Sequence, residues 1–328
     1  MINRRIAIFA LVGILFFSAV TLRNKLVSDD VTNVEDEIEI VLSDDEIKIV
    51  EDDGMRKTVL YFQDENGYLV PVMRRIPWEE GIGKITLKNM IDTPELRNTL
   101  DSTGLLPLIP SGTEIIGMTI DSDTGLCKVD FSEEFLNTET KKGEENLIKG
   151  IVYTLTEFPA IKEVKLMVAG DEVKSLKNGS TVASTLTRNN INYLGNPEEA
   201  RSDVVVYYKS EGSSEFEYFV PVTIPTMAPV SNVFTALDIL FEGPPEGSRL
   251  SSDIPMDTQF QGVEIKDGTA YVDITLGAES MLTIEATMDD IVKNIGLTLS
   301  EFEEINSVEV IVGEEAINTS IPVFANEY

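Results

Sequence analysis

One stretch of the sequence occurs twice, and this repetition limits the possible folds more than any other feature. The residues LIKGIVYTLTEF at 147–158 recur 144 positions later as IVKNIGLTLSEF at 291–302, without a gap. Upstream, GLCKVD at 125–130 resembles GTAYVD at 268–273, at an offset of 143 residues. Because the offset changes only by loop-sized steps, the chain is predicted to contain two copies of one domain.

Matches near the start of each copy support the duplication. LYF at 60–62 corresponds to VYY at 206–208, at an offset of 146 residues, and VPV at 70–72 recurs at 220–222, at an offset of 150. The two copies are assigned to residues 57–196 and 202–328. The polar segment 189–202 is the expected linker between them.

Each copy has the sequence pattern of an α+β domain. The apolar residues of 147–158 recur at helical spacing and form one face, as do those of 291–302. The segments 115–120 and 126–131 read as a hairpin, and 164–168 as an alternating strand. An earlier helix is predicted around 85–91 in the first copy and 233–241 in the second. We therefore expect a mixed sheet with two packed helices, and a separate core, in each domain.

The N-terminal residues predict a membrane segment. Residues 6–22 carry no charge and would rise about 26 Å as a helix, the lower limit for crossing a bilayer. Arg4 and Arg5 precede the run, which favours a cytoplasmic N-terminus. Residues 1–27 are predicted to be a retained signal anchor, with the domains outside the cytoplasm. A cleaved signal peptide is the alternative.

Residues 28–56 form a strongly acidic linker. Like charges at this density favour an extended, solvated spacer. Short alternating apolar stretches, IEIVL and IKIV, leave open a marginal strand that would form if a partner supplied a sheet edge.

Charge and residue usage exclude several functions. The formal net charge of −31 opposes binding to nucleic acids, because phosphates would be repelled. The chain has no histidine, which removes Ser/His/Asp and Cys/His catalysis and the commonest zinc ligand. The single cysteine, Cys127, follows an apolar strand pattern and is predicted to be a buried core residue.

Acidic residues that could form a site have simpler structural explanations. Asp121 and Asp123 begin like a calcium loop, but Gly125 arrives early and the twelfth position is Ser132, so a hairpin turn is predicted. The neighbouring pair at 133 and 134 is expected to be solvated surface.

Four carboxylates recur at equivalent places in both copies, which predicts structural hydrogen bonds rather than catalysis. They are Asp130 with Asp273 and Glu157 with Glu301. The single tryptophan, Trp78, is expected to be packed rather than to anchor an interface. No catalytic residue, cofactor or metal ligand is assigned, and the chain is expected not to be an enzyme.

Two sequence motifs resemble the signatures of the GerMN domain family. They are GLCKVDFSEEF at 125–135 and YTLTEFP at 153–159, and weaker forms occur in the second copy. The resemblance implies a protein of endospore formation and germination, located between the mother cell and forespore membranes. It also implies likeness to ring-building modules, so the expected partners are other envelope or sporulation-complex proteins, or further copies in a homo-oligomer or ring. A peptidoglycan-binding or peptidoglycan-modifying accessory protein is the alternative.

Overall fold

The computed structural model describes residues 54–78, 81–210, 216–277, 280–313 and 315–327. The predicted signal anchor, and the acidic linker up to residue 53, lie outside the described residues. Among the helices that the structure describes, none is long and apolar enough to cross a membrane. This finding does not bear on residues 6–22.

The helices and strands of the first repeat begin two residues before the predicted domain start. They are β1 (Met55–Gln63), β2 (Leu69–Pro77), α1 (Ile82–Lys88), α2 (Pro94–Leu100), β3 (Ile115–Asp121), β4 (Leu126–Phe131), α3 (Lys141–Leu155), β5 (Glu163–Val168) and β6 (Asp171–Glu172).

The second repeat follows nearly the same order. Its elements are β7 (Ser202–Ser210), β8 (Phe219–Thr226), α4 (Val233–Glu242), β9 (Leu250–Ser251), β10 (Gln259–Lys266), β11 (Thr269–Thr275), α5 (Ser280–Leu299), β12 (Ser307–Val312) and β13 (Glu315–Ser320).

The strands of each repeat form two separate sheets. The mixed sheets have the orders β3-β4-β5-β6 and β10-β11-β12-β13, and in each the second and third strands are parallel. A parallel pair needs a long crossover, which α3 and α5 provide. The first two strands of each repeat stay outside the mixed sheet as the antiparallel hairpins β1–β2 and β7–β8.

The matched segments occupy equivalent places, which confirms the duplication at the level of topology. Helix α3 connects β4 to β5, and α5 connects β11 to β12 in the same way. Even the irregularities repeat: β3 has a bulge after Ile115, and β10 has one after Phe260. The α+β class with two tandem domains is therefore correct.

The apolar core does not divide between the repeats as the sequence suggested. Buried side chains of both repeats form one continuous cluster, which includes Phe62, Phe131 and Leu147 from the first and Tyr218 and Ile291 from the second. The two domains are thus packed against each other and do not have separate cores.

The prediction of two helices per domain is wrong for the first repeat, whose described residues form three α-helices. Helix α1 spans Ile82–Lys88 rather than the predicted 85–91, and residues 92–94 lead into α2. Thr93 is the N-cap, and its side chain accepts a hydrogen bond from the Leu96 amide, while Pro94 occupies the first helical turn. Proline is unfavourable inside a helix but is favoured in its first turn. Pro94 is therefore consistent both with the end of one helix and with the start of the next.

Replacing Thr93 with alanine should lower the free energy of unfolding by about 1 kcal/mol, because the N-cap hydrogen bond of α2 is lost. Thr93→Ser keeps the hydroxyl and should remain close to the original stability. Urea denaturation of the three proteins measures the difference. Equal midpoints for the alanine and serine variants would show that the cap does not stabilise the helix.

Candidate functional site

The residues singled out in the sequence do not come together in one site. Cys127 is fully buried, and burial raises the pKa of its thiol to about 12, so it is unreactive at neutral pH. Asp121 closes the β3–β4 hairpin by accepting hydrogen bonds from the amides of Asp123 and Thr124, at 3.0 and 3.1 Å. The hairpin interpretation of this loop is therefore confirmed. Trp78 is partly buried against the core, with the Arg56 guanidinium 5.2 Å from its ring centroid.

In the first pair of recurring carboxylates, Asp130 with Asp273, the first member stabilises a turn. Asp130 accepts a hydrogen bond from the Gly170 amide at 3.0 Å and so holds the turn after β5, as the sequence suggested. The carboxylates at 133 and 134 are exposed, as expected of a solvated surface. Among the described residues, no group of three or more acidic or cysteine side chains is placed to hold a metal ion.

The second pair of recurring carboxylates leads to the main polar feature of the structure, the contact between the two hairpins. We call this contact the junction. It contains the strands β2 and β8, the residues that hold them together, and two tyrosine–glutamate pairs.

A buried asparagine ties each of these strands to its neighbour. The Asn192 side chain accepts from the Leu69 amide and donates to the carbonyls of Leu69 and Pro221, all at 2.8 Å. Leu69 belongs to β2 of the first repeat, whereas Pro221 belongs to β8 of the second. One side chain thus bonds both hairpins.

Asn326 makes the corresponding set of bonds from the other side. It accepts from the Phe219 amide at 2.8 Å and donates to the carbonyls of Phe219, at 2.9 Å, and Pro71, at 2.7 Å. Pro71 is 150 positions before its equivalent, Pro221. Because the same bonds occur with the repeats exchanged, the junction has approximate twofold symmetry.

Proline explains why asparagine is needed here. Pro71 and Pro221 have no amide hydrogen, so β2 and β8 would lack donors for a direct ladder at these positions. The asparagine side chains supply donors to the proline carbonyls instead. A buried carbonyl without such a partner would cost free energy.

The segments that follow each repeat also cross to the other one. After the first repeat, the Ile191 carbonyl accepts from the Thr223 amide and the Leu194 amide donates to the Thr223 carbonyl, both at 2.9 Å. Near the C-terminus, the Asn326 carbonyl accepts from the Met73 amide at 2.8 Å. The start of segment 189–202 therefore pairs with β8 and is not the free linker that its polar composition predicted.

Each repeat contributes one tyrosine–glutamate pair to the junction. The Tyr61 hydroxyl donates to Glu157 at 3.3 Å, and the Tyr207 hydroxyl donates to Glu301 at 3.0 Å. Burial, followed by the glutamate charges, raises the pKa of both tyrosines well above the usual value, so both remain protonated donors. The recurring glutamates thus have the structural role that the sequence indicated.

One arginine of the first repeat joins this group. Arg188 donates to the Thr156 hydroxyl at 2.7 Å and to the Tyr153 carbonyl at 3.1 Å, and it forms an ion pair with Glu157. Arg188 and Glu157 are close enough to Glu301 to change the pKa of its carboxyl group. Enclosure by surrounding protein, together with the Glu157 charge, raises the pKa of Glu301, while Tyr207 and Arg188 oppose the rise.

A groove on the first repeat is a second candidate site. We call it the α3 groove: it lies between α3 and residues 179–189 and has a volume of about 340 Å³. Its wall is held by Glu144, a buried carboxylate that accepts from the amides of Asn178, at 2.5 Å, and Ser180, at 3.1 Å. Loss of water contact acts to raise the pKa of Glu144, but these hydrogen bonds outweigh it and lower the pKa.

The sequence pointed to Glu157 and Glu301, but it indicated neither the asparagines of the junction nor the α3 groove. Asn192 and Asn326 have different surroundings in the sequence, so no repeat match draws attention to them. The groove wall lies in a segment rich in serine and threonine that has no helical or long strand pattern. A small aromatic cluster on the second repeat was also missed: Phe234 is 53% exposed, and its ring lies 5.3 Å from that of Phe260.

Comparisons with known proteins agree on one family. The family described as "Germane: Sporulation and spore germination" matches residues 59–174 and 205–318. The chain is 30% identical over 262 residues to the spore germination protein GerM of Bacillus subtilis (strain 168), an alignment that covers 77% of this chain and 70% of that protein. The solved structure of the tandem GerMN domains of sporulation protein GerM from Bacillus subtilis matches with a TM-score of 0.72 at 27% identity, covering 83% of this chain and 99% of that one.

Removing one asparagine of the junction should destabilise both repeats. Asn326→Ala deletes three buried hydrogen bonds, and we expect it to lower the free energy of unfolding by about 3 kcal/mol. Asn98→Ala, on the exposed face of α2, is the matched control and should change stability by less than about 0.5 kcal/mol. Denaturant unfolding measures both, and similar losses for the two variants would contradict the role of the junction.

The Glu144 carboxylate should make the groove wall sensitive to acid. Because the folded pKa lies below that of the unfolded chain, its stabilisation is present above the unfolded pKa and is lost as the pH falls through the folded value. Glu144→Gln should therefore cost about 2 kcal/mol at neutral pH and progressively less in acid. Unfolding at a series of pH values, with the exposed Glu145→Gln as control, tests this. A cost that stays constant with pH would exclude the charged carboxylate as its source.

Proposed function

Because this chain belongs to the Germane family of sporulation and spore germination proteins, we propose that it acts without catalysis in endospore formation and germination. In this role it supports the assembly of a protein complex between the mother cell and forespore membranes. Residues 6–22 anchor it in a membrane, residues 28–53 act as a spacer, and both repeats lie outside the cytoplasm. Its partners are other envelope or sporulation-complex proteins, or further copies in a ring.

The observation that carries the proposal is the junction. Reciprocal asparagine bonds and exchanged segments hold the repeats together, so their outer surfaces keep a fixed separation and orientation. A binding protein with two fixed surfaces loses less conformational entropy on assembly than one with a flexible linker. This arrangement suits a structural component that must hold two partners in one geometry.

The chemistry of the described residues supports a role without turnover. The carboxylates nearest each other across the junction are bonded to tyrosines, and Glu157 is also bonded to Arg188. These bonds fix the acids in place, which suits a structural role better than proton transfer. The sequence contains no histidine that could act as a general base.

Deleting the gene in the bacterium that encodes this chain should sharply reduce the yield of heat-resistant spores. Full-length protein expressed from a second chromosomal site should restore the yield, and the same protein without residues 1–27 should not, because it would no longer be held at the membrane. The measurement is the count of colonies after heating a sporulated culture. A normal spore count in the deletion strain would contradict the proposal.

A parallel assay separates this role from peptidoglycan modification. Purified full-length chain is incubated with isolated peptidoglycan, and soluble fragments are measured by mass spectrometry. We expect none above the buffer control. Reproducible release of fragments that increases with protein concentration would overturn the non-catalytic role.

A further inference from the structure

The α3 groove lies in the first repeat, although the helix that floors it is duplicated, and the described residues of the second repeat differ at this place. Val152 forms part of the floor, and its equivalent 144 positions later is Gly296. In the second repeat this position is covered: a Cβ placed on Gly296 would lie only 2.8 Å from Pro322. The same helix face is thus closed in one repeat and open in the other.

The wall of the groove consists mainly of short side chains. Thr181, Ala183, Thr185 and Thr187 line the groove beside Ser180 and Leu186, whereas Val182 is buried. The threonine and alanine side chains are exposed, so they leave the space beside α3 open, and the threonines present hydroxyl groups to it.

The wall is fixed in place before any ligand binds. Leu186 exchanges two backbone hydrogen bonds with Val164 at the start of β5, at 2.8 and 2.9 Å. Lys149 reaches from α3 to donate to the Asn190 carbonyl at 2.7 Å. With Glu144 at the other end, both ends of the segment are bonded to the body of the repeat. A wall already ordered would cost little conformational entropy on binding.

The charge around the groove differs in sign from that of the chain. Residues 141–190 contain eight lysines and arginines and six acidic residues, a net charge of +2, whereas the whole chain carries −31. Lys141 and Lys149 line the groove itself, with Glu145 as the acidic lining residue. The two lysines therefore favour a ligand with negative charge in a chain whose net charge is strongly negative.

We propose that the α3 groove binds an acidic segment of a partner protein in extended conformation. The apolar floor, with Ile148 and Val152, takes aliphatic side chains of the segment, and the lysines pair with its carboxylates. The threonine hydroxyls bond its backbone. This inference deepens the proposed assembly function and rests on it, because it names the chemistry of one partner.

The test measures binding of a synthetic peptide to purified full-length chain. The probe is a fluorescein-labelled peptide of alternating glutamate and valine, and its matched control has lysine in place of glutamate. Fluorescence anisotropy should show binding of the acidic peptide only, and binding should weaken as salt is added. Lys141→Glu should weaken it by about tenfold, since an attraction becomes a repulsion.

Two further variants keep the result interpretable. Thr185→Trp fills the groove from an exposed position and should also abolish binding, whereas Lys266→Glu makes the same charge change on the second repeat and should leave binding intact. No binding to the original chain, or equal weakening by Lys266→Glu, would overturn the proposal. Self-association in sedimentation that Lys141→Glu abolishes, without peptide binding, would also overturn it by identifying a second copy as the occupant.

The outcome is independent of the spore assay. If the peptide does not bind but the deletion strain forms few heat-resistant spores, the groove proposal fails and the assembly role stands. If the peptide binds but spore formation is normal, the groove is a binding site and the proposed process is wrong.

Discussion

The arrangement of the two repeats depends on two buried asparagine side chains. Each makes three hydrogen bonds, to its own repeat and to the other one. Each also donates to a proline carbonyl, at a position where the proline has no amide hydrogen for a direct ladder between β2 and β8. Amides suit this position because they donate and accept at once without bringing a charge into the core. Buried polar groups restrict geometry more than apolar contacts do, since an apolar surface can slide but an unsatisfied amide is costly. The junction therefore sets the relative orientation of the repeats, and the shared apolar core packs around it.

Duplication preserved contacts even where the residues changed. In the first repeat, the end of β1 reaches its helix through a hydrogen bond from Asn146 to Gln63 at 2.7 Å. The equivalent positions in the second repeat are Asp290 and Lys209, which lie 4.0 Å apart as an ion pair, and Lys209 also pairs with Asp253 at 2.7 Å. A neutral pair and a charged pair make the same connection from strand to helix. What persisted between the copies is the position of each contact.

Sequence patterns predicted the elements that depend on local periodicity and repetition. The crossover helices, the β3–β4 hairpin and the structural role of Glu157 and Glu301 all follow from residues that recur at matching offsets. The junction could not be predicted this way, because its asparagines lie outside the matched segments and act only once the repeats have docked. Helix α2 was not predicted for a different reason: Thr93 and Pro94 are typical both of the end of one helix and of the start of another. The sequence predicted a core for each repeat, but the buried side chains of both repeats are in contact. A hydrophobic pattern shows which residues avoid water, but it does not show which repeat covers them.

The two helix faces show how copies of one domain acquire different roles without new folds. In the second repeat, Pro322 closes the face beside Gly296, and the chain after β13 continues to the junction at Asn326. In the first repeat, the chain reaches the corresponding asparagine by a longer route, through residues 173–190, and this detour stands away from α3 and forms the groove wall. In each repeat, the segment after the mixed sheet must place an asparagine at the junction. The end of the segment is therefore constrained, whereas its preceding residues can differ between the repeats. The groove thus arises from the requirement that builds the junction: a longer path to a fixed end point leaves space beside the helix, and small threonine side chains keep it open.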